Sequence, residues 1–148
     1  MPISELNASI KAFDERRDVA IFKNAEDAVS FTAKYIVHVA KEATRASNRF
    51  SIALSGGNTP KAVFKKIAEP PLKNEVEWDK ALVFFSDERS VPPTHQDSNF
   101  RSALESGLGK LPIPPESIFR MEAEELPDLK AKDYESLIQE KLSGAPLD

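Results

Sequence analysis

The chain has 148 residues, 41% of them hydrophobic and 30% charged, a composition that supports one packed domain and excludes wholesale disorder. Its 20 basic and 24 acidic residues give a net charge of −4, so no basic excess predicts a nucleic-acid partner. There is no cysteine and there are only two histidines, His38 and His95, which excludes disulfides, thiolate metal sites and histidine-rich metal sites. The composition leaves open at most a carboxylate-dominated metal site. We expect neither a metal nor a cofactor.

The sequence carries no signal for a membrane or for export. No apolar run approaches the roughly 18 residues of a membrane span. Residues 1–13 lack the basic start and apolar stretch of a signal peptide. With the lack of cysteine, these features predict a cytoplasmic protein with no membrane partner.

Strand and helix patterns alternate along the chain. In chain order they are a strand at 19–22; a helix from an Asn24 cap to about Ala46; a strand at 50–54; a helix with a Thr59 cap and Pro60 at its first position; a strand at 78–85; a short helix capped by Asp97 or Ser98 and ended by Gly107 and Gly109; a strand at 117–121; and a helix over 128–142. The run 81–85 is apolar without alternation, which is typical of a strand covered on both faces. This order predicts an α/β domain with a mainly parallel sheet and helices on both faces.

The first polar cluster, residues 55–60, follows a predicted strand and opens a helix. Ligands of open parallel sheets bind beyond the carboxyl ends of the strands. Gly56 and Gly57 would let the backbone approach a ligand closely, and the helix start offers free N–H groups to an anion. Asn58 and Thr59 add side-chain donors, so the segment suits a phosphate monoester, although it is not a Walker loop. An ordinary strand-to-helix turn explains the same residues equally well.

The second polar cluster, Asp87-Glu88-Arg89, comes directly after the strand predicted to be buried. Charged groups in this position are costly unless they pair or bind something. Arg89 can clamp a phosphate with two hydrogen bonds, and either acid can orient hydroxyls or act as a base. A structural ion pair among the three residues is the equal alternative. His95 is predicted to be a turn residue and His38 a partly exposed helix residue.

The two clusters and their surroundings together resemble the 6-phosphogluconolactonases, which are related to the glucosamine-6-phosphate deaminases. The residues that carry the resemblance are Leu54-Ser55-Gly56-Gly57-Asn58-Thr59-Pro60-Lys61, Phe84-Phe85-Ser86-Asp87-Glu88-Arg89, Val91-Pro92-Pro93 with His95, and Asp97-Ser98-Asn99-Phe100. The resemblance implies a three-layer, Rossmann-like α/β fold. It also implies hydrolysis of 6-phospho-D-glucono-1,5-lactone, a small sugar-phosphate lactone, to 6-phosphogluconate in the oxidative pentose phosphate pathway.

The resemblance also suggests roles for the residues of both clusters. Gly56, Gly57, Asn58 and Thr59 are similar to the loop that binds the substrate phosphate. Asp87, Glu88 and Arg89 are the predicted catalytic residues, with Arg89 binding the phosphorylated substrate and the two acids shaping and supporting its pocket. The deaminase-like pattern has tyrosine where this chain has Arg89, which favours the lactonase.

Two features of the family are not found in these 148 residues. Its members continue with an apolar strand and a Gly-Pro-Asp-Gly-His-Thr-like segment, whose histidine is the expected general base. We therefore expect residues 1–148 to be the N-terminal part of a larger single domain, with little activity alone and a tendency to self-associate. Two alternatives stay open: a glucosamine-6-phosphate deaminase or isomerase with Asp87 as the base, and a non-catalytic sugar-phosphate-binding domain.

Overall fold

The computed structural model describes residues 9–15 and 17–148, which form four strands and four α-helices joined by short 3-10 turns. The strands are β1 (Ser9–Ala12), β2 (Asp18–Ile21), β3 (Phe50–Leu54) and β4 (Ala81–Phe85), and the helices are α1 (Ala25–Ser47), α2 (Asn58–Ile67), α3 (Asn99–Ser106) and α4 (Pro127–Leu142). Strands β3 and β4 pair in parallel, in register from Phe50 beside Ala81 to Leu54 beside Phe85.

The β3–β4 pair is covered by helices on both faces, which confirms the predicted three-layer α/β architecture. On one face, Val83 and Phe85 pack into a core shared with α1, α2 and α3. On the other face, Phe84 packs with Tyr134 and Leu142 of α4. Because successive side chains of a strand point to opposite faces, a strand buried on both sides must be apolar at every position. The unbroken apolar run of β4 reflects this environment.

The strand predicted at 19–22 is present as β2, but it lies outside the parallel sheet. It pairs antiparallel with β1 to form a separate two-stranded sheet, and β1 was not predicted. Ile21 is 67% exposed, so this strand does not have the double coverage of a central parallel strand. Beyond its end, the ring of Phe22 packs 5.0 Å from that of Phe31 on α1.

The strand predicted at 117–121 is reduced to a single parallel bridge to Val83, so the prediction of a full strand was wrong. Phe119 N donates to Val83 O (2.8 Å), as a parallel ladder requires. The next bond would join Phe85 N to Phe119 O. Instead the Tyr134 hydroxyl accepts from Phe85 N and donates to Phe119 O, both at 2.8 Å. Burial raises the pKa of Tyr134 to about 12, so the bridging hydroxyl keeps its proton at neutral pH.

Replacing Tyr134 with phenylalanine should lower the free energy of unfolding by about 1–3 kcal/mol, because it leaves buried backbone groups of β4 and the neighbouring segment unpaired. Urea unfolding followed by circular dichroism measures the change. Tyr35→Phe is the matched control, because Tyr35 lies on α1, is 39% exposed and has no hydrogen-bond partner among the described residues. Equal midpoints for the two variants would contradict the bridging role.

Candidate functional site

The two predicted polar clusters lie side by side at the carboxyl end of the β3–β4 pair. Because β3 and β4 are parallel neighbours, the segments that follow Leu54 and Phe85 start next to each other. Ser86 N donates to Leu54 O (2.9 Å), and the hydroxyl oxygens of Ser55 and Ser86 are 3.0 Å apart. We call the segments 55–59 and 86–89 the glycine turn and the acidic loop.

The glycine turn owes its shape to Gly57, whose φ of +102° is a left-handed conformation that favours glycine. Gly57 is the N-cap of α2, so the helix begins at Asn58, and the prediction of a Thr59 cap with Pro60 first was wrong. The helix begins two residues earlier than predicted, because the chain changes direction at Gly57, which adopts a positive φ. In the described part of the chain no side chain caps the start of α2, and the side chains of Asn58 and Thr59 are exposed. The first amides of α2 are therefore available to an anion.

The other glycine of the turn, Gly56, is required because the Asn99 side chain packs against it. A Cβ on Gly56 would lie 2.1 Å from Oδ1 of Asn99, the first residue of α3. The same Asn99 side chain donates from Nδ2 to Asp87 O (3.2 Å) and to Asp87 Oδ2 (3.1 Å). Asn99 thus contacts both the glycine turn and the acidic loop. Sequence reasoning had given it no role of its own, although it lies beside a predicted helix cap and within the segment Asp97-Ser98-Asn99-Phe100 that carries the resemblance.

Glu88 joins the acidic loop to the start of α3. Its Oε1 accepts from Arg89 N (2.8 Å) and Asn99 N (2.6 Å). Its Oε2 accepts from Phe100 N (2.9 Å) and the hydroxyl of Ser98 (3.1 Å). Ser98 is the N-cap of α3, one of the two residues predicted for that position. With four donors on its carboxylate, Glu88 is suited to supporting the loop, one of the roles that the resemblance suggested.

Arg89 and Asp87 form only a loose contact. The distance from Arg89 Nε to Asp87 Oδ2 is 4.0 Å, and the side chains are 64% and 57% exposed. Such an exposed pair contributes little to stability. Within residues 9–15 and 17–148, no other carboxylate pairs with Arg89. The geometry therefore argues against the structural ion pair and leaves the guanidinium open to a ligand.

The two histidines and Lys61 lie outside the glycine turn and the acidic loop. His95 is a turn residue, as predicted: its N donates to Pro92 O (2.9 Å) and its Nδ1 accepts from Asp97 N (3.2 Å). His38 is half-buried on α1, and Lys61 is exposed on α2. Among the described residues, no group of three or more acidic, histidine or cysteine side chains is arranged to hold a metal. The helices of that same part of the chain are too short or too polar to cross a membrane.

A second cation, Arg120, lies within electrostatic reach of Glu88 but is already engaged. Its Nη1 and Nη2 donate to the two carboxylate oxygens of Glu124 at 3.0 and 2.9 Å. Lys130 Nζ donates to Glu122 Oε2 at 2.7 Å. These hydrogen bonds lower the pKa of both glutamates. Because Glu124 takes up the guanidinium of Arg120, Arg89 is the better candidate for binding a ligand.

The parallel pair, with a glycine turn and a charged loop at its carboxyl end, has the arrangement of open α/β proteins, a class whose ligands bind beyond the carboxyl ends of the strands. The chain belongs to the family described as glucosamine-6-phosphate isomerases/6-phosphogluconolactonase, whose sequence profile matches residues 23–148.

Named relatives agree with this assignment. The chain is 36% identical over 123 residues to the probable 6-phosphogluconolactonase 4, chloroplastic, of Oryza sativa subsp. indica, covering 83% of this chain and 38% of the relative. It is 40% identical over 105 residues to the 6-phosphogluconolactonase of Nostoc sp., covering 70% of this chain and 42% of the relative.

A solved structure, 6-phosphogluconolactonase from Trypanosoma cruzi, superposes with a TM-score of 0.71 at 26% identity, covering 86% of this chain and 51% of the other. The chain therefore spans between about two fifths and one half of the length of these relatives.

Proposed function

We propose that this chain supplies the phosphate-binding part of a 6-phosphogluconolactonase, which hydrolyses 6-phospho-D-glucono-1,5-lactone to 6-phosphogluconate. One observation carries the proposal: the glycine turn and the acidic loop meet at the carboxyl end of the sheet, where Arg89 makes only a loose contact with Asp87 and no described side chain caps the first amides of α2. A guanidinium and a helix start are both groups that bind phosphate well. The family and the lactonase names of the relatives support the choice of substrate.

In the proposed reaction, Gly57, Asn58, Thr59 and Arg89 hold the substrate phosphate and thereby place the lactone ring over the sheet edge. Water adds to the lactone carbonyl, the ring C–O bond breaks, and the ring oxygen takes up a proton. Asp87, which lies 4.0 Å from Arg89, orients the sugar hydroxyls or Arg89, while Glu88 keeps the loop against α3. The base that deprotonates water is assigned to the histidine segment that the family resemblance implies, and to no residue described here.

The proposal is tested by replacing Arg89 with alanine in the complete gene product. We expect KM for the lactone to rise by roughly tenfold to a hundredfold, because a charged hydrogen bond worth about 1.5–3 kcal/mol is lost. The change in kcat should be smaller, since the phosphate is bound equally in the ground and transition states. Steady-state hydrolysis, corrected for the spontaneous reaction, measures both constants.

Arg45→Ala is the matched control for Arg89→Ala, because Arg45 is similarly exposed, at 68%, but lies on α1. Unchanged kinetics for Arg89→Ala would contradict the assignment. Turnover of glucosamine 6-phosphate in place of the lactone would favour the deaminase. Sugar-phosphate binding without turnover by the complete gene product would favour the non-catalytic domain.

We also propose that the 148-residue chain self-associates through the free edge of β3. Among the described residues, no strand lies on the side of β3 away from β4; instead the Asp148 carboxylate accepts from Ser51 N and Oγ, both at 2.8 Å. A shallow groove lined by Tyr35, Val39 and Asp148 adjoins this edge. A free edge beside apolar side chains favours pairing with a second copy. Sedimentation equilibrium tests this, and a monomer at all concentrations would contradict it.

We further propose a cytoplasmic location. The name of the rice relative places that protein in the chloroplast, so the compartment needs a direct test. A fluorescent fusion of the complete gene product, imaged in the source cells, should give diffuse cytoplasmic signal. Signal confined to an organelle would contradict the proposal.

A further inference from the structure

We propose that Asn99 is a positioning residue that sets the spacing and charge of the phosphate site by joining its two halves. This inference rests on the proposed function. The glycine turn follows β3 and the acidic loop follows β4. A phosphate bound by both segments requires a fixed distance between them. Asn99 belongs to neither segment but touches both, and it is only 8% exposed.

The position of Asn99 is itself held firmly. Its backbone N donates to Glu88 Oε1 at 2.6 Å, and Glu88 also accepts from Phe100 N, so the start of α3 is bound to the acidic loop. From there the Asn99 amide reaches the Asp87 backbone and carboxylate on one side. On the other side its Oδ1 packs so closely against Gly56 that a single methyl group would collide with it. The contact sets a minimum distance between the turn and the loop.

The hydrogen bond from Asn99 to Asp87 also decides how strongly Asp87 competes for Arg89. Asn99 Nδ2 donates to Asp87 Oδ2, the same oxygen that lies 4.0 Å from Arg89 Nε. Because that oxygen already accepts a hydrogen bond from Asn99, Asp87 attracts the guanidinium less strongly. Without the Asn99 donor, Asp87 would pair more closely with Arg89 and take it from the phosphate.

Binding of inorganic sulfate to the 148-residue chain tests the inference without relying on activity. Sulfate resembles a phosphate ester and keeps its charge between pH 5 and 8. The Gly57 amide is followed by ¹H–¹⁵N NMR during the titration. We expect Asn99→Leu, which fills a similar volume without a donor, to bind sulfate about tenfold more weakly than the wild type, a loss equivalent to roughly one hydrogen bond to the anion.

A second variant, Asn99→Asp, provides a signature that a merely structural role would not produce. At pH 8 the introduced carboxylate faces that of Asp87, and repulsion should weaken sulfate binding at least as much as Asn99→Leu does. Two close carboxylates share one proton at lower pH. Protonation restores a donor to Asp87, so sulfate binding should recover toward the wild-type value near pH 5.

Other charged groups around position 99 are Glu88 and Arg89 on the acidic loop, and His95 and Asp97, which pair at 3.7 Å on the loop before α3. The glycine turn contributes no charged side chain. Measuring the wild type at every pH accounts for these groups. Asn74→Asp, at an exposed position outside both loops, controls for the added negative charge.

The outcomes separate this inference from the proposed function. Wild-type affinity in Asn99→Leu, or weak binding by Asn99→Asp that does not recover with acid, would overturn the role of Asn99 and leave the lactonase proposal standing. If Asn99→Leu fails to fold, the pH series of Asn99→Asp decides alone. Sulfate binding that follows the expected pattern, in a complete gene product that does not hydrolyse the lactone, would overturn the lactonase proposal only. No response of Gly57 to sulfate in the wild type would overturn both.

Discussion

Replacing Glu88 with glutamine is expected to lower the free energy of unfolding by about 1.5–3 kcal/mol, the range for hydrogen bonds to a charged group. Both oxygens of the Glu88 carboxylate accept from N–H or O–H donors, including the Asn99 and Phe100 amides. A glutamine amide would direct its own N–H₂ at one of these pairs of donors. It would also remove the negative charge from the positive end of α3. Urea or thermal unfolding measures the loss.

Glu105→Gln is the matched control for Glu88→Gln. Glu105 lies on α3, the helix whose first amides donate to Glu88, and pairs with Arg101 through one exposed hydrogen bond of 2.7 Å. Breaking a surface pair of this kind should change stability by less than about 1 kcal/mol. Equal effects of the two substitutions would show that the four bonds of Glu88 do not hold the loop. Loss of stability should be accompanied by weaker anion binding, because the acidic loop carries Arg89.

The 148-residue chain alone is expected to hydrolyse 6-phosphogluconolactone no faster than the spontaneous reaction. Attack of water at neutral pH needs a base whose pKa lies near the working pH, and histidine is the usual choice. This chain offers only His38, on α1, and His95, whose Nδ1 already accepts from a backbone amide. Neither belongs to the glycine turn or the acidic loop. The rate is measured against buffer alone, on freshly prepared lactone.

Bound sulfate provides the control that the chain is folded during the activity assay. A chain that binds sulfate at Gly57 and is still inactive would separate phosphate binding from the chemical step. Hydrolysis at a rate near that of the complete gene product would show that the base lies within these residues. His95, on the loop between the acidic loop and α3, would then be the first residue to replace, with glutamine as the substitute.

The hydrophobic patterns of the sequence were sufficient to predict the helices and the parallel pair. The apolar run 81–85 indicated a strand covered on both faces, and Asn24 and Ser98 are helix caps as predicted. These features are local, because a cap or an apolar stripe depends on residues within one or two turns of the chain. Local patterns also located the two polar clusters, since each directly follows a strand.

Contacts between distant residues decided the features that sequence reasoning missed. Whether 117–121 becomes a full strand depends on the Tyr134 hydroxyl, which reaches into the ladder from α4. The place of β2 depends on β1, a partner with no clear strand pattern of its own.

Contacts between distant residues also decide the role of each site residue. The types of Asp87, Glu88 and Arg89 can be read from the sequence, but not which of them is engaged by the protein. Folding brings the start of α3 against Glu88 and leaves Arg89 open, and it places Asn99 between two loops that come from different strands. The sequence alone therefore determined which chemical groups are present. Only the tertiary structure decided which of them support the site and which remain free to bind, because that depends on partners far apart along the chain.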